Sequence, residues 1–469
     1  MALNVVIMAA GKGTRMKSAS PKVLHRLAGC SLLQHVLNAA ARLGAGASAN
    51  RTVVITGHGA DQVEAACAGS GAVFARQMPQ RGTGHAIQQA LPQLLDGNDT
   101  TLILNGDVPL IRTETAAALV QACGGTKLAL LTIELADASG YGRIVRGPAT
   151  SVGVTGNAVQ AIVEHKDATS AQRAIREVYT GIMAAPTAAL KRWVMALTDD
   201  NAQKEYYLTD IVAMAVAEGV PVVTAPAGSE TEVLGVNSPV QLADLERRLQ
   251  RMRADTLLQA GVRMADPARF DQRGTLVCGQ DVEIDVNCIF EGEVQIEDGA
   301  RIGANCVICD SHIGPGANVL PFTHMTGARV GAGALVGPFA RLRPGADLGA
   351  DVHIGNFVEV KNSTLAAGAK ANHLAYLGDA TVGERVNYGA GSITANYDGA
   401  NKHRTVIGND VHVGSNCVLV APVRVGDGAT IGAGSTISKD VAGGELAVAR
   451  ARQTTLAGWQ RPKKAPKKA

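Results

Sequence analysis

Aromatic side chains are scarce in this sequence: Phe, Tyr and Trp make up 3% of 469 residues. That excludes large cores built on ring packing, although 46% hydrophobic residues still exceed what a disordered chain carries. No charge of one sign dominates either. A formal net charge of +3 argues against a nucleic-acid binder driven by bulk charge. The eight cysteines form no disulfide framework, so a reducing, cytoplasmic setting is expected. Cys306 and Cys309 make a lone C-x-x-C with no second pair at zinc spacing, and both are expected to be small packed residues. No apolar run is long enough for an integral membrane segment. The first apolar stretch has no basic residues ahead of it, unlike a secretory signal. The basic ending RPKKAPKKA is expected to be a solvated tail.

Glycine is what abounds, at 54 residues. With so few aromatics, it points to a large region of small repetitive units. The length also calls for more than one domain. Residues 3 to about 235 alternate apolar runs with helical patterns. LNVVIMAA, RTVVITG and TLILNGD are predicted strands, and SLLQHVLNAAARLG is a predicted helix. This alternation predicts a mostly parallel α/β sheet with ligands at the carboxyl ends of its strands. A helix is predicted from Pro239 to Gly261, with Ser238 as its cap. Beyond it the apolar period becomes six. Ile284, Phe290, Ile296, Ile302 and Ile308 are one series, Val330 to Val360 a second, and Ile407 to Ile437 a third. That period predicts a parallel β-helix of hexapeptide repeats. The period lapses between Leu365 and Thr405, in a stretch rich in His, Asn, Tyr and Lys that a mere spacer would not need.

Both halves offer candidate chemistry. AAGKGTRM follows the first strand but fits neither the P-loop nor the dinucleotide template. Gly11 lets backbone N–H groups approach a nucleotide, and Arg15 and Lys22 can balance phosphate charge. Asp107 ends the TLILN strand, where one carboxylate suits Mg²⁺. His373, inside the lapse, is a candidate general base for acyl transfer to an amine. Cys417 lies outside the lapse and is expected to be a packed residue.

AAGKGTRMKS with PKVLH, GTGHA, NGDVPL, GYGRIVR, IVEHKDAT and EVLGVNS resemble successive segments of sugar-phosphate pyrophosphorylases. RLRPGA, IGNFVEVKN, NHLAYLGDA, NYGAG and ITANYDGANK resemble the acetyltransferase half of one branch. That branch is the bacterial bifunctional N-acetylglucosamine-1-phosphate uridyltransferase and glucosamine-1-phosphate acetyltransferase family. The resemblance spans nearly the whole chain. It implies a Rossmann-like nucleotidyltransferase domain at 1–236, a linker helix at 237–261, and a left-handed parallel β-helix at 262–469. It implies UTP, sugar phosphates and acetyl-CoA as substrates, Mg²⁺ as cofactor, and a cytoplasmic homotrimer that uses no nucleic acid. Met8, Ala9, Ala10, Gly11, Lys22, Gln77, Gly82, Thr83, Asn105 and Gly106 match the nucleotide-binding positions. Gly142 and Glu164 match sugar contacts, and Asn237 matches a residue that shares the metal with Asp107. Arg343, Lys361, Tyr376 and Asn387 match the acceptor-sugar positions. Ala390, Asn396, Tyr397, Ser415, Ala433 and Arg450 match acetyl-CoA contacts. His373 matches the base, and Asp379 is expected to orient it. Two departures stand out: Tyr179 replaces a frequent Asn, and Asn105 a frequent Tyr, so no sugar contact is carried to Tyr179. Two other readings remain at this point, a monofunctional nucleotidyltransferase with a regulatory solenoid and a non-catalytic exchange-factor subunit.

Overall fold

The run LNVVIM is apolar on both sides of its pleat. In the structure, a computed structural model describing residues 2–44, 49–96, 99–148 and 157–464, it lies in the strand Ala2–Met8 of a nine-stranded sheet. Val5 and Ile7 enter one core and Val6 the other, as a strand covered on both faces requires. Leu32–Gly44 covers one face, and Thr83–Ala90 with Thr187–Met195 covers the opposite one. Ala2–Met8 pairs parallel with Ala49–Thr56 and Thr100–Asn105, so that Met8 aligns with Ile55 and with Asn105. The loops after these strands therefore leave the sheet along one edge. The sheet is mixed rather than wholly parallel. Glu177–Pro186 runs antiparallel to both Thr100–Asn105 and Leu128–Glu134, and Gly142–Pro148 forms a hairpin with Asn157–Val163.

The expected helix runs Pro239–Gln259, with Gln241 N donating to Ser238 Oγ at 3.3 Å and Gly261 at φ 99° just past its end. The chain divides into two compact units, Met1–Leu249 and Gln250–Ala469, at a point inside this helix. In the first unit Leu245 and Leu249 pack with Met16, Leu27, Leu32 and Val236. In the second, Ala254 belongs to the core, and Gln250 exchanges two hydrogen bonds with the Gln272 backbone, at 2.8 and 3.0 Å.

From Arg263 onward the chain coils as a parallel β-helix. Each interior residue lies beside its counterpart one coil on: Ile284, Ile302, Val319, Val336, Ile354, Ala371, Tyr388, Val413 and Ile431 form one continuous buried stack. The coiling does not stop where the period lapses. Strands continue at Lys370–His373, Tyr376–Gly378, Ala380–Val382, Asn387–Tyr388 and Ile393–Ala395. Ala371, Ala375 and Ala380 fill interior places there, so the bulky aliphatic signature disappears while the coil persists. The excursion from the coil is the loop 396–404, closed by an antiparallel bridge between Tyr397 and Lys402.

One corner of the coil carries an unusual outer column. Phe322, Phe339, Phe357 and Leu374 all adopt positive φ, and all remain 48–63% exposed. The first three rings stack at centroid distances of 4.8 and 5.4 Å. Positive φ at bulky residues costs about 1–3 kcal/mol each, and about half of each side chain stays in contact with solvent.

Cys306 is buried as expected, whereas Cys309 is half-buried with its Sγ donating to Asp310 Oδ2 at 3.2 Å. Residues 461–464 of the basic ending are exposed, and 465–469 lie outside the described residues. Among the described residues no helix is long and apolar enough to cross a membrane.

The interior stack makes a stability prediction. Ile354→Ala should destabilise the chain by about 2–5 kcal/mol and Ile354→Val by about 0.5–1.5 kcal/mol, since the closed coil cannot collapse around a void. Denaturant unfolding of the full chain measures both.

Candidate active sites

The loop after Ala2–Met8 and the loop after Thr100–Asn105 face each other across a cavity of about 440 Å³. Met8, Ala9, Ala10, Gly11, Lys22, Gln77, Gly82, Thr83, Asn105 and Asp107 all line it. Gly13 stands at φ 59°, and a Cβ there would come within 2.7 Å of the Lys22 Cβ. A Cβ on Gly11 would meet nothing within 4 Å, so this glycine leaves room for a ligand rather than for packing. Lys22 is the hub. Its Nζ donates to Asp107 Oδ2 and, at 3.0 Å, to Asn237 Oδ1. Two hard oxygen donors separated by 130 positions thus converge on one ammonium, and oxygen donors of this kind are what Mg²⁺ accepts. Arg15 was expected at this site, but it stands exposed on the short helix Thr14–Met16 and does not line the cavity. Gly106 also lies off the lining, its N–H tied to Met8 O at 2.9 Å. Two residues that sequence reasoning passed over belong here. Gln80 donates to Ala10 O at 3.2 Å, tying the segment Gln77–Gly82 to the loop after Ala2–Met8, and Glu205 contributes a carboxylate to the wall. Neither has a motif that would have exposed it.

A second cavity of about 210 Å³ shares Met8, Thr83 and Asn105 with the first and adds Gly142, Glu164 and Tyr179. Burial, with Asp210 and Asp167 nearby, pushes the Glu164 carboxyl above its usual value even though Thr209 Oγ1 donates to it at 3.1 Å. Tyr179 is 7% exposed and its hydroxyl has no partner, while burial and the neighbouring Glu164 push its proton affinity up. Asn105 does not reach for a ligand with its amide: Nδ2 donates to Gly181 O at 3.2 Å.

In the β-helix, the expected acceptor-sugar residues occupy successive coils. Glu359 pairs with Arg341 on one side and Tyr376 on the other, which sets Arg343 beside Lys361. Arg343 Nη1 donates to Glu359 Oε1 at 2.8 Å, and Lys361 Nζ lies 3.8 Å from Asp379 Oδ2. Lys402, from the 396–404 loop, sits close enough to Lys361 to be held below its ordinary pKa. It is a further cation of this group, part of the NYDGANK motif but not singled out from sequence. Asn387 begins the strand that pairs with Lys370–His373.

His373 contradicts one expectation. Its Nδ1 meets Asn356 Oδ1 at 2.8 Å, not Asp379. Asp379 is engaged elsewhere, accepting from Asn362 Nδ2 at 2.5 Å and from Asn396 Nδ2. The acetyl-CoA candidates fall along one line of coils. Gly391 N donates to His373 O, Asn416 N to Ala390 O, and Gly434 N to Ser415 O, while Arg450 Nη1 reaches Ala433 O at 2.6 Å. Asn396 is instead buried against Asp379, and Tyr397 is exposed with its hydroxyl on Gly399 O. Cys417 is buried, as expected. No group of three or more His, Cys, Asp or Glu that could hold a metal occurs among the described residues.

A cavity with a glycine loop and a Lys22–Asp107 pair in an α/β unit, together with an exposed imidazole on a parallel coil, fits a two-part transferase. The family described as MobA-like NTP transferase domain matches residues 5–266, and bacterial transferase hexapeptide repeats match 404–439. A Bifunctional protein GlmU of Methylibium petroleiphilum is 73% identical over 98% of this chain and 99% of that protein. Its namesake in Polaromonas naphthalenivorans is 64% identical over 99% and 98%. A solved UDP-glucose pyrophosphorylase in complex with UDP-glucose matches 54% of this chain and 100% of its own at 17% identity and TM-score 0.43, too slight a likeness to argue from. The chain belongs to the bifunctional GlmU family.

Asp379 sets a pH dependence. Burial pushes its carboxyl up, but hydrogen bonds from Asn362 and Asn396, together with Lys361 and Lys402, outweigh burial and hold it below the usual value. Its stabilising contribution is therefore complete above the unfolded value of about 3.9 and is lost as pH falls through the folded value. Asp379→Asn should flatten the acid side of the Tm-versus-pH curve between about pH 5 and 2, read by thermal melts.

Proposed function

We propose that the chain acetylates glucosamine-1-phosphate in the β-helix and joins the product to UMP in the α/β unit, releasing UDP-N-acetylglucosamine. As a family member it is both a uridyltransferase and a hexapeptide acetyltransferase. The observation that carries the residue assignment is the convergence of Lys22, Asp107 and Asn237 beside the glycine loop. In uridyl transfer a phosphate oxygen of the sugar attacks the α-phosphorus of UTP, the new P–O bond forms, and pyrophosphate departs. Both partners are anions, so alignment and charge neutralisation carry the catalysis. The backbone at Met8, Ala9, Ala10 and Gly11 meets the nucleotide, with Gln77, Gly82 and Thr83 on uracil, and Gly106 and Asn105 beside them. Gly142 and Glu164 hold the sugar, while Lys22 balances the phosphates. Mg²⁺, held by Asp107 and Asn237, would supply further neutralisation of phosphate charge when bound.

In acetyl transfer His373 takes a proton from the sugar ammonium, the freed amine attacks the thioester carbonyl and the C–S bond breaks, and the departing CoA thiolate takes the second proton from the new amide nitrogen. Arg343 and Lys361 meet the sugar phosphate, with Tyr376 and Asn387 on the ring. Ala390, Asn396, Tyr397, Ser415, Ala433 and Arg450 receive acetyl-CoA. The domain limits 1–236, 237–261 and 262–469 accompany this assignment.

A homotrimer and a cytoplasmic location complete the reading. The column Phe322, Phe339, Phe357 and Leu374 supports subunit association, because about half of its apolar surface stays exposed within one chain at residues of positive φ. Free cysteines throughout suit a reducing compartment.

His373→Ala should lower acetyl transfer by about 10²–10⁴-fold and leave uridyl transfer intact. Asp107→Ala should do the reverse, by about 10²-fold or more. Mass spectrometry of glucosamine-1-phosphate, acetyl-CoA, UTP and Mg²⁺ separates the two steps, and a single change that removes both activities from a folded chain would refute the two-site assignment. Phe339→Ser should lower the assembly mass seen by light scattering.

A further inference from the structure

We propose that Asn356 is a positioning residue for acetyl transfer, which fixes the tautomer of His373 by accepting its Nδ1–H on an uncharged amide oxygen. The inference rests on His373 being the base. Asn356 and His373 are register partners on the adjacent strands His353–Asn356 and Lys370–His373. Two bonds tie them. Leu374 N donates to Asn356 O at 3.0 Å, and the imidazole Nδ1 meets Asn356 Oδ1 at 2.8 Å. The side-chain bond thus spans two residues whose backbones are already locked, and the coil itself sets the ring's direction.

A neutral imidazole has one N–H and one lone pair. Because the amide oxygen can only accept, the proton stays on Nδ1, and the lone pair is directed outward on Nε2, where an amine proton has to be taken. A carboxylate at position 356 would orient the ring equally well. It would also favour the imidazolium and leave the base already protonated near neutrality. An amide supplies direction without that charge. The titratable and charged groups on the same two strands are Lys370 and His353. Burial, with Lys370 and His373 nearby, holds the His353 imidazole below its usual value. The following strand, Asn387–Tyr388, presents no charged side chain there. The carboxylates of the acceptor-sugar group are otherwise engaged, Glu359 with Arg343 and Asp379 with Asn362, Asn396 and Lys361.

The experiment uses the full chain carrying Asn356→Ala or Asn356→Asp, with acetyl and uridyl transfer measured from pH 5 to 9. Asn356→Ala should lower the acetyl-transfer kcat about 10- to 100-fold with KM for acetyl-CoA nearly unchanged. Asn356→Asp should restore orientation but move the acid limb of kcat/KM upward by about one pH unit or more. Uridyl transfer should stay within about twofold in both, which reports an intact fold. Nitrogen-15 NMR of labelled histidine in the wild-type chain should show His373 as the Nδ1–H tautomer. Wild-type acetyl kinetics in both variants, or an Nε2–H tautomer, overturns the proposal while leaving His373 as base. Acetyl transfer that survives His373→Ala overturns both.

Discussion

Parallel register is the constraint on which both halves of the molecule depend. In the α/β unit it aligns Met8 with Ile55 and Asn105, so three strands end together and their loops share one edge. Lys22 and Asp107 become neighbours because the strands ahead of them stop level. In the β-helix the same rule acts between coils. Each residue lies over its counterpart, and an outward position becomes a column rather than a point. His373 sits in one column with Asn356, and Arg343 sits beside Lys361 in another. Neither arrangement needs long-range folding of loops, because hydrogen bonding between strands sets the spacing at about 4.8 Å.

The two sites solve one electrostatic problem in opposite ways. The nucleotide cavity gathers a cation between two oxygen donors, so that a polyanionic ligand meets charge already ordered by the protein. On the proposed assignment, the acetyl site separates its charge from its base. Arg343, Lys361 and Lys402 cluster with their carboxylates, while His373 is held by a neutral amide. The proposed base and the proposed phosphate contacts then sit on different columns of the coil.

Much of this was readable in the residues themselves. The period of six announced the coil, and the run LNVVIM announced a strand covered on both faces. Ser238, Pro239 and Gly261 marked the connecting helix to within a few residues. The lapse after Leu365 was misleading in extent, because Ala371, Ala375 and Ala380 keep the interior filled without an aliphatic signature. The partner of His373 could not be read, since Asn356 lies a full coil away and nothing local marks it. Nor could the antiparallel strand Glu177–Pro186, whose burial on both faces looks the same in either direction. Arg15 shows the reverse case: its place in a motif suggested the cavity, but the short helix Thr14–Met16 turns it to solvent.

The line of coils from His373 through Ala390, Ser415 and Ala433 to Arg450 has a metric consequence. Distance along a solenoid comes only in whole turns. On the proposed assignment, a cofactor's arm laid along this flank is matched by counting rungs, and four of them span about 19 Å. Gain or loss of one turn would shift Arg450 by a full rung while leaving every local contact intact, so the number of coils would set the reach available to the proposed acyl donor.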